Sequence, residues 1–196
     1  MTSMTTTLRQ AWVGLRLLLV MTVLVGVAYP LAVTVVGRAF SAKADGSYLT
    51  RGDGTVIGSE LIGQQFDGAQ WFHSRPSAAG ADGYDALSSG GSNLGPTNPD
   101  LVSAVGERKA AVAAENGVDA SAVPADAVTA SASGLDPHIS LAYAAIQVAR
   151  VARERGVSTS VVKQLVAQST DSPGLGFLGE PGVNVLRLNL ALSELG

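Results

Sequence analysis

A nucleophile, a base and an acid to orient it are present as residue types in Ser92, His73 or His138, and Asp136. Such a trio hydrolyses esters or amides once a fold brings the three into one hydrogen-bonded line. No G-x-S-x-G elbow surrounds any serine, so nothing local aims Ser92 out of a strand-to-helix turn. The two histidines stand far apart in sequence and lack the close spacing of a metal-ligand pair. With no cysteine, the chain forms neither disulfides nor thiolate metal sites.

The stretch around Ser92 offers a second chemistry. Residues Leu87 to Asp100 read LSSGGSNLGPTNPD, with three glycines, two prolines and short hydroxyl or amide side chains. Within it Ser88, Ser89, Gly90, Gly91, Ser92 and Asn93 can present successive backbone amides to an anion, as phosphate loops do. Gly90 and Gly91 are expected to supply backbone angles closed to other residues, and the serine and asparagine oxygens to order the loop. It is not a Walker A sequence: no G-x-x-x-x-G-K-[ST] occurs, and Lys109 lies well along the following helix. The six residues are therefore a candidate nucleotide or docking loop. Arg75 is expected to clamp the loop base by pairing with Asp85 or holding loop carbonyls. Trp71 and Phe72 are expected to pack in the core.

These residues need elements to position them. From Leu17 through Gly37 no side chain is charged, and Arg16 and Arg38 bracket a run long enough to cross about 30 Å of hydrocarbon. A retained anchor is favoured over a signal peptide cleaved after Ala44, because the apolar run exceeds the usual signal length. Pro30 removes a hydrogen bond to the Gly26 carbonyl, so a kink is expected there. Flanking charges do not decide the orientation. All sixteen acidic residues but only ten of the thirteen basic ones lie beyond Arg38, a net −6 that argues against nucleic-acid binding.

The chain thus divides into an N-terminal segment (1–16), a transmembrane helix (17–37) and a soluble domain (38–196). In the domain, Tyr48–Thr50 and Thr55–Ile57 predict a hairpin around Arg51, Gly52, Asp53 and Gly54. Asn98 and Pro99 predict a helix start, with a stop at Gly117. Asp136 and Pro137 repeat the device for a helix ending at Gly156, where Arg150, Arg153 and Arg155 complement the helix dipole. Ser158 caps another helix that closes near Ser172 and Pro173. Val183, Val185, Leu188 and Leu190 read as a terminal strand. The fold class is an α+β or irregular α/β soluble domain with a small sheet, attached to one N-terminal transmembrane helix.

Several blocks together resemble the C subunit of the Kdp potassium-transporting ATPase, a bacterial high-affinity potassium uptake complex. They are Tyr29 and Pro30 in the apolar helix, GSELIGQQF (58–66), WFHSRPSA (71–78), SSGGSNLGPTNPDL (88–101), VTASASGLDPHIS (128–140) and GFLGEPGVNVLRLNLAL (176–192). LSSGGSN also loosely resembles the LSGGQ signature of ABC transporters, with Ser89 inserted and Ser92 in place of glutamine. Against the Kdp pattern, Ala132 stands where glycine is usual and Gly182 where arginine is usual, which removes a charged contact from that turn.

The resemblance implies a non-catalytic accessory subunit in the cell membrane. Its partners would be a channel-like potassium-translocating subunit, an ATP-hydrolysing P-type subunit and a small single-helix subunit. It also implies a catalytic chaperone that raises the ATP affinity of the hydrolytic subunit, with the glycine-rich loop as nucleotide element. The family's orientation, N-terminus cytoplasmic and domain outside, conflicts with that loop meeting cytoplasmic ATP. The residues alone leave open a membrane-anchored extracytoplasmic hydrolase or a binding protein.

Overall fold

The computed structural model describes residues 4–195; residues 1–3 of the expected N-terminal segment and residue 196 of the soluble domain lie outside it. The described chain divides between Ser47 and Tyr48 into two compact units. In the first, α1 (Met4–Val23) and α2 (Tyr29–Arg38) are joined by a π-helical turn at Leu24–Ala28 into one helix of 35 residues. At 1.5 Å per residue it is about 52 Å long, more than the hydrocarbon core requires. It is the one helix among the described residues long and apolar enough to cross a membrane. The Arg16 guanidinium stacks on the Trp12 ring at 5.2 Å, an aromatic and cationic pairing suited to a headgroup region.

The helix widens in the turn before Pro30. The Tyr29 N–H reaches back five residues to the Leu24 carbonyl, and Thr34 Oγ1 donates to the Pro30 carbonyl at 2.8 Å. A four-residue helix, α3 (Ser41–Ala44), ends this unit.

The second unit opens with the expected hairpin, β1 (Tyr48–Thr50) and β2 (Val56–Ser59), antiparallel with an irregularity between Leu49 and Thr50. Asn98 caps α4 (Pro99–Asn116) by accepting the Asp100 N–H, and Gly117 ends it in the left-handed conformation. A second sheet has the order β3 (His138–Ile139), β5 (Gly182–Asn184), β4 (Thr170–Asp171), antiparallel throughout. Between them lie α5 (Leu141–Arg155) and α6 (Thr159–Gln168), capped by Ser140 and Ser158; α7 (Val185–Ser193) follows β5. The architecture is α+β with two small sheets.

Three local expectations are corrected. Asp136 does not cap a helix: its Oδ1 accepts the His138 N–H, the chain extends as β3, and the helix begins after Ser140. The helix begun at Ser158 closes at Gln168, because Thr170 and Asp171 pair with β5. The terminal strand stops at Asn184, whose side chain accepts the Arg187 N–H and starts α7. Leu188 and Leu190 mimic a strand's alternation, but Val185, Leu188 and Leu192 recur at helical spacing and are buried together with Leu186 and Asn189.

The core is one cluster in which Val148 and Val151 of α5 are buried together with Phe72, Ile139, Val162, Val183, Leu188 and Leu192. Phe72 is fully buried as expected, while Trp71 packs at the core's edge with the Arg155 guanidinium 4.2 Å from its ring.

Candidate functional site

The segment 69–79 has no helix or strand of its own, so its backbone must find partners elsewhere. Amide side chains supply them. Asn189 pairs with both the N–H and the C=O of Phe72, at 3.0 and 2.9 Å. Gln147 does the same for His73, at 2.7 and 3.2 Å. Arg150, expected as a dipole partner at a helix end, is instead 1 % exposed. Its guanidinium donates to the carbonyls of Ala69 and Trp71, to Asn116 Oδ1 and to Gln147 Oε1. A charged group buried this deeply persists because its donors are occupied.

The pinned segment then carries the glycine-rich loop. Ser77 Oγ donates to the Gly134 carbonyl at 2.6 Å and accepts the N–H groups of Ala79 and Tyr84. Gly134 has φ +67, and a Cβ there would lie 2.6 Å from the Gly90 carbonyl oxygen and 2.8 Å from Ala79. The Gly90 N–H and Ser89 Oγ both donate to the Ser133 carbonyl, at 2.8 and 3.0 Å. The loop is thereby stitched onto residues 131–134, which sequence distance concealed.

The glycines serve differently from expectation. Neither Gly90 nor Gly91 has positive φ; the left-handed residue of the loop is Asn93, at φ 53. Gly91 sits in close approach, since a Cβ would meet the Ala132 carbonyl oxygen at 3.1 Å and press on that backbone. Ala132 itself is exposed, so its methyl group is accommodated where glycine is usual. Among the described residues the N–H groups of Gly91, Ser92, Asn93 and Leu94 take no protein acceptor. Leu87, at the loop's start, is 96 % exposed. Ser88 donates its N–H to the Asp85 carbonyl, and Ser92 makes no hydrogen bond to either histidine.

The expected clamp at Arg75 is present with a different partner. Its guanidinium donates to Asp136 Oδ2 at 3.0 Å, while Asp85 folds back to accept the Leu87 N–H. From Asp136 a line of charges continues across the three-stranded sheet. His138 Nδ1 lies 3.7 Å from Asp136 Oδ1, His138 Nε2 bonds Asp171 Oδ2 at 2.9 Å, and Arg187 bonds Asp171 Oδ1 at 2.6 Å. Asp136 and Asp171 raise the His138 pKa against burial. Burial pushes both carboxyls up, but their bonds to His138 and the neighbouring arginines hold them below the usual carboxylate value.

These bonds give Asp136 and His138 structural work at the sheet. His73 is likewise engaged, with Nε2 at the Gly68 carbonyl and Nδ1 3.3 Å from Glu115. Gly182 pairs in register with Asp171, and a Cβ on it would meet the His138 Cβ at 3.1 Å. The Asp171 carboxylate is shared by His138 and Arg187. Sequence spacing gave no signal for the roles of Asn189, Gln147 and Arg150, whose contacts span 34 to 117 residues except for the pair Gln147 and Arg150.

Comparison with known proteins places these features in a family. Residues 11–194 match the family described as KdpC: K+-transporting ATPase, c chain. A potassium-transporting ATPase KdpC subunit of Kineococcus radiotolerans is 58 % identical over 190 residues, 97 % of this chain and 96 % of that protein. The protein of that name from Mycobacterium tuberculosis is 57 % identical over 189 residues, covering 95 % and 99 % of the two chains. Another, from Polaromonas naphthalenivorans, is 56 % identical over 183 residues and 93 % of each chain.

Proposed function

The chain belongs to the KdpC family, the c chains of K+-transporting ATPases, and we propose that it is the non-catalytic accessory subunit of such a pump. Residues 17–37 of its helix Met4–Arg38 cross the cell membrane once, with the N-terminus cytoplasmic and the domain outside. Its partners are a channel-like potassium-translocating subunit, an ATP-hydrolysing P-type subunit and a small single-helix subunit, which it helps to assemble and stabilise. The observation that supports this most is the loop Ser88–Asn93. Its base is fixed by Ser133, its next four amides are open, and Leu87 is held outward.

That is the build of a docking loop: a rigid base presenting free backbone donors beside an exposed apolar side chain. A phosphate cradle would also want a cation, and residues 87–107 contain neither lysine nor arginine. Any effect on ATP affinity then works through the assembled complex, without this loop touching nucleotide.

Sidedness tests the proposal. Protease applied to intact cells should remove the domain and spare an N-terminal tag; a protected domain would place the loop in the cytoplasm and overturn this reading. The purified chain should hydrolyse neither ATP nor esters, and hydrolysis abolished by Ser92→Ala would establish the enzyme alternative instead.

A further inference from the structure

The segment joining β4 to β5 closes on itself. Gly174 and Leu178 exchange two backbone hydrogen bonds at 2.8 Å, the Phe177 N–H reaches the Gly174 carbonyl, and the Gly176 N–H reaches Pro173. These bonds form an ordered tip whose three large side chains point away from the chain: Leu175 is 84 % exposed, Phe177 75 % and Leu178 56 %. Leu175 moreover has φ 52, a left-handed conformation that suits glycine or asparagine and penalises a branched apolar residue. Within this chain, then, Leu175 is unfavourable both to backbone and to water. What would offset both is a contact outside the chain.

We infer that the tip 173–179 is a plug that inserts into an apolar pocket with a basic rim on a partner subunit of the pump. This rests on the proposed membership of a multi-subunit complex. The convex shape calls for a concave occupant, and the charges select a protein over a bilayer. No lysine or arginine occurs from residue 172 to 186, and the carboxylate left to face a partner at the tip is that of Glu180, since Asp171 is already neutralised by His138 and Arg187. Interfacial binding to anionic lipid uses the opposite sign. Asp171 is held by His138 and Arg187, so the base of the plug is fixed to the sheet. Two copies meeting tip to tip would bring like charges together.

The chain has no cysteine, so Phe177→Cys can carry a single environment-sensitive bimane label, with Arg153→Cys on the exposed face of α5 as reference. In the purified pump the label at position 177 should be blue-shifted and at least fivefold less accessible to iodide than the label at 153. In the chain alone it should remain water-exposed, both in phosphatidylglycerol nanodiscs and on raising its concentration in detergent. A shift in nanodiscs means lipid and a concentration-dependent shift means self-association; either overturns the inference, as does no shift in the pump. If the untagged partners fail to co-purify with the wild-type chain, the proposed function itself falls, which separates the two failures. As a second variant, Leu175→Asn fits the left-handed backbone and should leave the melting temperature of the chain unchanged or higher while lowering co-purified partners at least fivefold. Undiminished co-purification would overturn the plug.

Discussion

Asn189 on α7 closes both backbone hydrogen bonds of Phe72, 117 residues away, so that one side-chain amide replaces a neighbouring strand. Gln147 repeats the arrangement at His73. Side-chain amides thus hold extended, a segment that carries Arg75 and Ser77 toward the loop.

Asn189→Ala should destabilise the protein by about 3 kcal/mol, because it strands a buried N–H and a buried C=O together. Asn189→Leu fills the volume without restoring either bond and should do no better. Chemical denaturation of the full chain in detergent measures both, and a cost below about 1 kcal/mol would show that the Phe72 backbone finds other partners.

Arg150→Met should cost about 3–5 kcal/mol, the range for breaking a buried charged network by deleting one member. The loss leaves the Ala69 and Trp71 carbonyls and the Asn116 and Gln147 side chains without their shared donor. Arg150→Lys should recover only part of it, since one ammonium cannot span four acceptors placed for a planar fork. Equal stability of the two variants would reduce the site to simple charge.

Local signals were legible in the sequence where they were chemical. Asn98 with Pro99, Ser158 and the glycines at 117 and 156 cap helices as their side chains and backbones dictate. Asp136 misled because the Asp-Pro pair that starts a helix also starts a turn, and here the His138 amide and Arg75 compete for the carboxylate. The C-terminal leucines misled because Val183 and Asn184 belong to a strand and the next residue to a helix, within one apolar run. Arg150 was illegible for a deeper reason. Nothing in a helical arginine's neighbours reveals that carbonyls some eighty residues earlier will surround it. The loop at 88–93 was found as a candidate, but its seat on Ser133 and Gly134 is a tertiary contact without a local signature.

Glycine at 134 should matter more than glycine at 90. Gly134→Ala meets the Gly90 carbonyl oxygen at 2.6 Å and imposes a side chain at φ +67, so it should cost at least about 2 kcal/mol and release the loop. Gly90→Ala has open space within 4 Å except for the Ser88 carbonyl oxygen, and should change stability by less than about 0.5 kcal/mol. In the purified pump, Gly134→Ala should lower partner recovery while the ATP affinity of whatever complex remains is unchanged. A lowered ATP affinity with full recovery would favour the nucleotide reading of the loop.

His138 makes the stability of the domain depend on pH. Its pKa is raised in the folded chain, so its contribution is complete below the unfolded value of 6.5 and is lost as pH rises through the folded value. Asp136 and Asp171 have lowered values, so their contribution is present above 3.8 and is lost as pH falls through their folded values. Between these limits all three groups are charged and the line from Arg75 to Arg187 is intact. His138→Gln should therefore destabilise the full chain at pH 5.5, by about 0.5–1 kcal/mol once solvent screening of a side chain more than one-third exposed is allowed for. The difference should shrink toward zero by about pH 8.5, as neutral histidine and glutamine become comparable partners for Asp171. Denaturation midpoints of the two proteins across pH 5 to 9 measure it; a constant difference would assign His138 to packing on Gly182, where its Cβ already sits close.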